Sequence, residues 1–592
     1  MGLMSTLRFL NVTVRSIYTV AVTLKDGTKL SAAKLVEETA AKSPNQACVK
    51  YEDRVYTYKE FNEACNRVAD AFLKDGAKKG DVVALLMDNR PEYLITMVGL
   101  NKIGVVTSLI NTHVTGVQLV HAIKICNPRW IMVGNEHLAN LKEIEADLPN
   151  GLSMKDLLVW SDTPDVQMPS QARLFNPIVK QSGNTNPPTT ADQTVNDPMI
   201  YMYTSGTTGL PKAALIKNQR FLRAAFSFGR ILSKLQPSDT TYLALPLYHA
   251  TGAVAAWGAV VATGSAIALR RKFSATQFWD DVVKYDATAF NYIGEVCRYL
   301  LHTPPHPLER KHKLRLMIGA GMRKDVWIPF VERFGVKEVI EFYAATEGNV
   351  AIVNIDGEPG MLGRLLPGQR VVKIDAETEE IVRDAQGRCV DARPGEQGIL
   401  VGLMNQINRF DGYLDKSKTE EKIIRNAFGD GNDYFNTGDL VNMHKGKKVS
   451  FADRLGDTYR WKGENVSTNE VSIVLNQCPG VIETNVYGVE VPGAEGRAGM
   501  AAVVVNGEFD VARFGKHVAE GLPRYALPYF IRLQKQLELT GSFKYVKTHL
   551  KKEGFDPAKV NEPVYFFDSV TKTYVPVTPE LFERINRGEV SV

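Results

Sequence analysis

The chain has 592 residues, 44% of them hydrophobic and 23% charged, with 71 basic against 66 acidic side chains for a net charge of +5. That length predicts at least two domains, and the near-balanced charge is too weak to argue for nucleic acid binding. Six cysteines stand singly, without a CxxC, and ten histidines show no metal-ligand spacing. A disulfide or zinc framework is therefore not expected, and the thiols should be reduced and mostly buried.

The N-terminal stretch Leu3 to Leu24 is apolar, but Arg8, Asn11 and Arg15 interrupt it before it reaches membrane-spanning length. Two arginines among Leu7, Phe9, Leu10, Val14, Ile17 and Tyr18 suit a helix lying on a membrane surface, and an ordinary packed helix competes with that reading. Met1-Gly2 with Thr6 also fits the loose N-myristoylation pattern. Thr57-x-x-Glu60 is a capping box, and Phe61, Cys65, Val68 and Phe72 follow at helical spacing up to Gly76. Val82–Met87 reads as a buried strand, Pro91 as a helix start and Val105–Ile110 as a strand. Residues 162–198, rich in Pro, Asn, Thr and Ser, read as a linker or surface insertion.

Tyr203-Thr204-Ser205-Gly206-Thr207-Thr208-Gly209-Leu210-Pro211-Lys212 is the most informative run. Gly206 and Gly209 let backbone N–H groups approach phosphate oxygens, hydroxyls add donors, and Lys212 adds a compact positive charge. The spacing is not that of a Walker A loop. The flanks predict strands at Pro198–Tyr203 and Ala213–Ile216 with a helix only from Asn218, so the loop is a strand–loop–strand cradle and not a strand–loop–helix one.

Strands are expected at Thr241–Leu245, Ser265–Leu269, Ala287–Ile293 and Leu314–Ile318, with a small-residue helix at Ala250–Ala262 and a helix capped by Ser274-x-x-Gln277. This alternation predicts α/β layers with largely parallel pairing. After Asp453 the pattern changes to a helix near Asn469–Asn476, strands at Val481–Val491 and Ala498–Val505, and a helix near Val511–Glu520, a separate α+β domain.

Further motifs follow the phosphate loop in order. Phe342-Tyr343-Ala344-Ala345-Thr346-Glu347-Gly348-Asn349 places a carboxylate after a strand, where Glu347 and Thr204 could hold Mg²⁺ beside a polyphosphate. Tyr343 could stack on a purine, and Asp439, after the turn Asn436-Thr437-Gly438, could accept ribose hydroxyls. Each alone is an ordinary turn; their order gives them weight.

The set resembles the adenylate-forming superfamily of acyl-CoA synthetases, luciferases and peptide-synthetase adenylation domains. Within it, Phe410-Asp411-Gly412-Tyr413, the run Asp453 to Ser467 and Tyr487 to Gly499 are similar to the fatty acid transport protein family of very-long-chain and long-chain acyl-CoA synthetases. The resemblance implies a large N-terminal adenylate-forming domain of layered α/β subdomains (46–453) and a smaller mobile α+β C-terminal domain (454–592); the N-terminal segment (1–45) is a candidate membrane-surface helix on its own residues. It implies an ATP site built from 203–212, Ala320, Tyr343, Thr346, Asp439 and Arg454, with Mg²⁺ on Glu347 and Thr204, and coenzyme A as co-substrate. Catalytic roles fall on Lys544, Glu347, Thr204 and Lys212, with Lys547 and Lys551 as alternatives to Lys544. Gly456 and Asp457 would form the hinge, and His249 and Gly258 would line the acyl pocket.

The implied reaction activates a long- or very-long-chain fatty acid through an acyl-adenylate and transfers it to coenzyme A. The implied location is membrane-associated with a cytosolic active site, at endoplasmic reticulum, peroxisome or plasma membrane, with the soluble cytoplasm as the alternative. Competing functions are a lipid transport or binding protein with little turnover, and an enzyme that loads a carrier protein. The sequence carries no mark of an oligomeric state.

Overall fold

A computed structural model of the chain describes residues 3–149, 151–204, 210–375, 380–406, 408–455, 457–461, 464–492, 494, 496–540, 545–590 and 592. Its contacts divide into two compact units, Met1–Pro359 with Leu403–Ile423, and Gly360–Gly402 with Ile424–Val592. Residues 360–402 and 424–453, expected in the first domain, group with the second unit. Within it Gly363–Arg364, Lys448–Arg454, Tyr434–Met443, Gln397–Leu403 and Gln369–Lys373 lie side by side in one sheet.

The first unit is α/β, as the alternation predicted. A seven-stranded sheet runs Arg173–Leu174, Leu157–Trp160, Trp130–Gly134, Val82–Leu86, Val106–Leu109, Pro198–Thr204, Lys212–Lys217. All its pairings are parallel except the last. An eight-stranded sheet runs Ala351–Val353, Glu338–Ala344, Leu316–Ala320, Ala289–Ile293, Thr240–Leu243, Ala266–Leu269, Ala47–Tyr51, Arg54–Thr57, parallel in its middle and antiparallel at both edges. Val82–Leu86 is buried at every position, as a strand covered on both faces must be, and accordingly its sequence is continuously apolar.

Local signals were read correctly where the partners are near in sequence. The Thr57–Glu60 capping box opens the helix Tyr58–Lys74, and Pro91 opens Pro91–Lys102. Three expectations are corrected. Ser274 hydrogen-bonds Thr276 and does not cap a helix, which starts later, at Phe278. The stretch 250–262 begins as a π-helical turn, Thr251–Ala256, before the α-helix Trp257–Thr263. Residues 162–198 contain the edge strand Arg173–Leu174 and the helix Phe175–Gln181, and their buried Phe175, Thr190, Gln193 and Val195 are part of the fold. Asn186 accepts hydrogen bonds from Asn62 and Asn66 at 2.8 Å each.

The second unit adds a five-stranded sheet, Val481–Glu490, Arg497–Val505, Pro528–Gln534, Val564–Asp568, Thr573–Pro576. Its core includes Tyr487, Met500, Phe514 and Phe530. All six cysteines are buried and unpaired; burial pushes the Cys65 thiol up to about 12.

The N-terminal helix Leu3–Tyr18 continues as a π-helical turn, Thr19–Thr23. Leu7, Leu10, Val14, Ile17, Tyr18 and Val22 are exposed along it, whereas Val12 packs on the apolar cluster of the first unit. Among the described residues no helix is long and apolar enough to cross a membrane.

Candidate active site

Two signature motifs are hairpin turns. Pro198–Thr204 pairs antiparallel with Lys212–Lys217, with Thr204 directly opposite Lys212. The Gly/Thr-rich loop therefore leaves and re-enters one sheet edge; Ser205, Gly206, Thr207, Thr208 and Gly209 themselves lie outside the described residues. At the loop's end Leu210 is exposed, and the Pro211 carbonyl meets His121 Nε2 at 3.0 Å. The second turn, residues 345–350, closes Glu338–Ala344 on Ala351–Val353, with Gly348 N donating to the Ala345 carbonyl at 2.9 Å. Ala344 is exposed, and Tyr343 and Thr346 are half-buried beside it.

A third segment joins them. Leu414 N donates to the Ala213 carbonyl at 3.0 Å, and Tyr413 bridges Ala214, so residues 412–414 run along the hairpin strand as a short added edge. Gly412 makes the entry at φ +82, a left-handed conformation that favours glycine. This seats the Tyr413 hydroxyl against both the Glu347 carboxylate, to which it donates, and Thr204. Burial and the neighbouring Glu347 hold the Tyr413 hydroxyl well above its ordinary range, so it stays protonated and keeps donating. Lys212 faces the Tyr413 ring at 5.8 Å and pairs with Glu421 at 3.6 Å.

Beneath this surface lies Arg220, which the sequence reading missed. Burial brings its guanidinium down to about 10, against the opposing influence of Glu347 and Asp411, so it remains a fixed cation at neutral pH. Gly348 has φ +78, and a Cβ there would run into the Arg220 side chain, so Thr-Glu-Gly needs its glycine twice over. Asn349 Nδ2 donates to the Asn408 carbonyl at 2.6 Å, and Arg223 donates to Asn408 Oδ1 at 3.1 Å, fixing the turn from below. Nothing in the sequence near Arg220 marks it, because its partners lie more than a hundred residues away.

Glu341, also missed, is fully buried on the strand leading to this turn. It accepts from Gly321 N, from Met322 N at 3.1 Å and from the Tyr292 hydroxyl at 2.5 Å. Burial pushes its carboxyl up to about 8. Gly319 and Gly294 allow the close approach there; a Cβ on Gly319 would sit 2.0 Å from the Tyr292 carbonyl oxygen. Glu341 thus fixes the turn that follows Ala320.

Other expected site residues are placed as follows. The Tyr203 hydroxyl is engaged in the scaffold, donating to the Ala122 carbonyl at 2.6 Å and meeting Ser108 at 2.8 Å. Asp439 is buried and pairs through Oδ1 with Arg454 Nε at 3.3 Å, the two being cross-strand partners in the second unit. Asp457 lies in the turn after Arg454, and Gly456 is outside the described residues. Lys544 is also outside them; of its alternatives, Lys547 donates to Thr468 Oγ1 at 3.2 Å, and burial lowers the Lys551 amine. His249 is half-buried, its ring 4.5 Å from that of Tyr248. Gly258 faces the neighbouring helix, where a Cβ would lie 3.2 Å from Ala225 Cβ, while Ala255 and Ala259 face the apolar cluster with Leu232, Ile318 and Phe342.

Among the described residues, one group of potential metal ligands converges elsewhere, Asp88, Glu136 and His137. Arg90 lies 3.4 Å from Glu136 and Lys272 lies 3.5 Å from Asp88, so their charge is already balanced.

Residues 36–408 match the AMP-binding enzyme family, and residues 470–544 match the AMP-binding enzyme C-terminal domain. The chain belongs to the AMP-binding enzyme family. It is 40% identical to long-chain fatty acid transport protein 6 of Mus musculus, over 93% of this chain and 90% of that protein, and so belongs with the fatty acid transport proteins. It is 36% identical to a medium/long-chain-fatty-acid–CoA ligase of Mycobacterium tuberculosis, over 95% of this chain and 92% of that one. Among solved structures, an anthranilate CoA ligase in complex with anthranoyl-AMP superposes with a TM-score of 0.75 at 20% identity, covering 88% of this chain and 97% of that one, a likeness of fold.

Proposed function

We propose that this AMP-binding enzyme is an ATP-dependent ligase that joins a long- or very-long-chain fatty acid to coenzyme A through an acyl-adenylate, releasing AMP and pyrophosphate. The observation that carries the reading is the meeting of Thr204 and Glu347 at the Tyr413 hydroxyl, with Lys212 on the Tyr413 ring, where the Gly/Thr-rich loop leaves its strand. A carboxylate and a hydroxyl are hard oxygen donors that fit Mg²⁺, which would be held by Glu347 and Thr204. Bound there, Mg²⁺ would offset charge on the phosphate oxygens.

In this reading the fatty carboxylate attacks the α-phosphorus of ATP and pyrophosphate leaves. The coenzyme A thiol then attacks the acyl carbonyl and AMP leaves. Lys212 and half-buried Arg220 supply positive charge already in position before the reaction, so little reorganisation is needed as negative charge moves. Tyr413 orients Glu347. Tyr343 and Ala320 serve the adenine, Asp439 and Arg454 the ribose side, and His249 with Ala255 and Ala259 the acyl chain. Lys544 assists adenylation from the C-terminal domain, which turns about Gly456 and Asp457 between half-reactions. The exposed apolar residues of the N-terminal helix support work at a cytosol-facing bilayer surface, where such acids partition.

Fatty-acid-dependent exchange of labelled pyrophosphate into ATP by the purified protein tests the reading. Absence of exchange with every acid from dodecanoate to hexacosanoate would end it. Lys544→Ala should slow adenylation roughly a hundredfold and leave thioester formation from supplied acyl-adenylate within about threefold. Equal slowing of both halves would move the role to another group.

A further inference from the structure

A cavity of about 580 Å³ lies under the N-terminal helix. Val12, Ile231, Leu232, Trp327, Val331 and Ile340 give it an apolar part, beside the polar Asn11 and Asn354. Its rim is cationic: Arg8, Arg15, Lys234 and Lys337 face only two acids, Glu338 and Asp356. Arg8 pairs with Glu338 at 2.8 Å, and both side chains are substantially exposed, so the pair tethers the helix weakly. Arg15, Lys234 and Lys337 are exposed and make no ion pair among the described residues.

An apolar part beneath unbalanced positive charge fits one kind of ligand, a single apolar chain with an anionic head. The volume is that of an ordinary small-molecule site, about 300–1,000 Å³. The cavity abuts the packed core of the unit. Leu232 and Ile340 line it and belong, with Val12, to the cluster that contains Ala255, Ala259, Ile318 and Phe342. Glu338 at the rim and Tyr343 near the active turn stand on one strand, Glu338–Ala344, so the two ends are about 17 Å apart at ~3.3 Å per residue. The helix above turns Leu10, Val14 and Ile17 outward, an apolar face beside Arg15.

We propose that this cavity is an outer docking site for one long-chain carboxylic acid, taken from a bilayer under the N-terminal helix and held by Arg15, Lys234 and Lys337 before it passes to the active site. The proposal rests on the fatty-acid reading above for the identity of the acid, and its test is arranged to fail separately. Hexadecyl sulfate has the same charge and chain but no carboxylate to adenylate. Calorimetry with the full chain and monomeric hexadecyl sulfate should show one site. The double variant Arg15→Glu, Lys234→Glu, both at exposed positions, should weaken it at least tenfold, and hexadecyltrimethylammonium should not compete.

A diazirine-bearing hexadecanoate should label the helix Lys324–Phe334 in wild type and lose that labelling in the variant. Turnover of vesicle-presented hexadecanoate should fall about tenfold in kcat/KM in the variant, with octanoate in solution unaffected. Equal sulfate affinity in both proteins, or labelling confined to other segments, would overturn the proposal. So would variant-sensitive binding seen only with phosphatidylserine vesicles and never with the monomeric sulfate, since the cations would then read a lipid surface. Loss of pyrophosphate exchange with every acid would sink the ligase reading and leave sulfate binding to be judged by itself.

Discussion

Glu341 and Glu347 stand six positions apart, one within the strand Glu338–Ala344 and one in the turn that follows it, and they do opposite work. Glu341 is sealed among its own partners, two backbone amides and the Tyr292 hydroxyl, and burial raises its carboxyl to about 8. Glu347 is half-buried, with Tyr413 on one oxygen and Arg220 behind it. A carboxyl group whose oxygens are filled by donors of the protein shapes the fold. One held by a single hydroxyl at a half-open edge keeps coordination capacity for something else. The residue type is the same; the neighbours divide the roles.

The strongest way to break this contrast is Glu347→Gln. It removes a charge that would act on the reacting phosphates, so pyrophosphate exchange should drop by roughly a hundred- to a thousandfold with the melting temperature nearly unchanged. A large drop in melting temperature would make Glu347 a structural residue like its neighbour.

Glu341→Ala should do the reverse. It leaves two amides and a buried tyrosine hydroxyl without their acceptor, a loss of about 2–4 kcal/mol in stability by denaturant unfolding. The pH dependence sharpens the point. A carboxyl raised from 4.5 unfolded to about 8 folded keeps its proton only in the native state between those values. Its contribution to stability is therefore complete below about pH 4.5 and is lost as pH rises through about 8. Glu341→Gln, which cannot titrate, should show a shallower decline over that interval; parallel curves would place the Glu341 titration elsewhere.

Tyr413→Phe is the smallest of the three. Removing the hydroxyl that orients Glu347 should cost about 1 kcal/mol of transition-state stabilisation, five- to tenfold in kcat/KM, with the KM for ATP rising more than that for the acid. An unchanged enzyme would show that Arg220 alone fixes the carboxylate.

What was legible in the sequence was local. Turn residues between two short apolar strands predicted the phosphate-loop hairpin, and Pro198–Thr204 and Lys212–Lys217 form it. The capping box at Thr57 and the helix start at Pro91 depend on neighbours three or four residues away, and they hold. Buried parallel strands such as Val82–Leu86 announce themselves by continuous apolar composition.

The tertiary structure decided what lies far apart in sequence. Arg220, Glu347 and Tyr413 meet through segments more than sixty residues from one another, and no periodicity encodes that meeting. The polar stretch 162–198 reads as a linker because composition reports hydrophobicity and not hydrogen-bond partners; Asn62 and Asn66 supply partners that make it part of the fold. Small residues in 250–262 mark close approach of some kind, but only packing divides Gly258 against Ala225 from Ala255 and Ala259 against the apolar cluster. Sequence fixes the local backbone because its determinants are a few bonds away; which carboxylate is sealed and which stays half-open depends on elements the chain brings together only by folding.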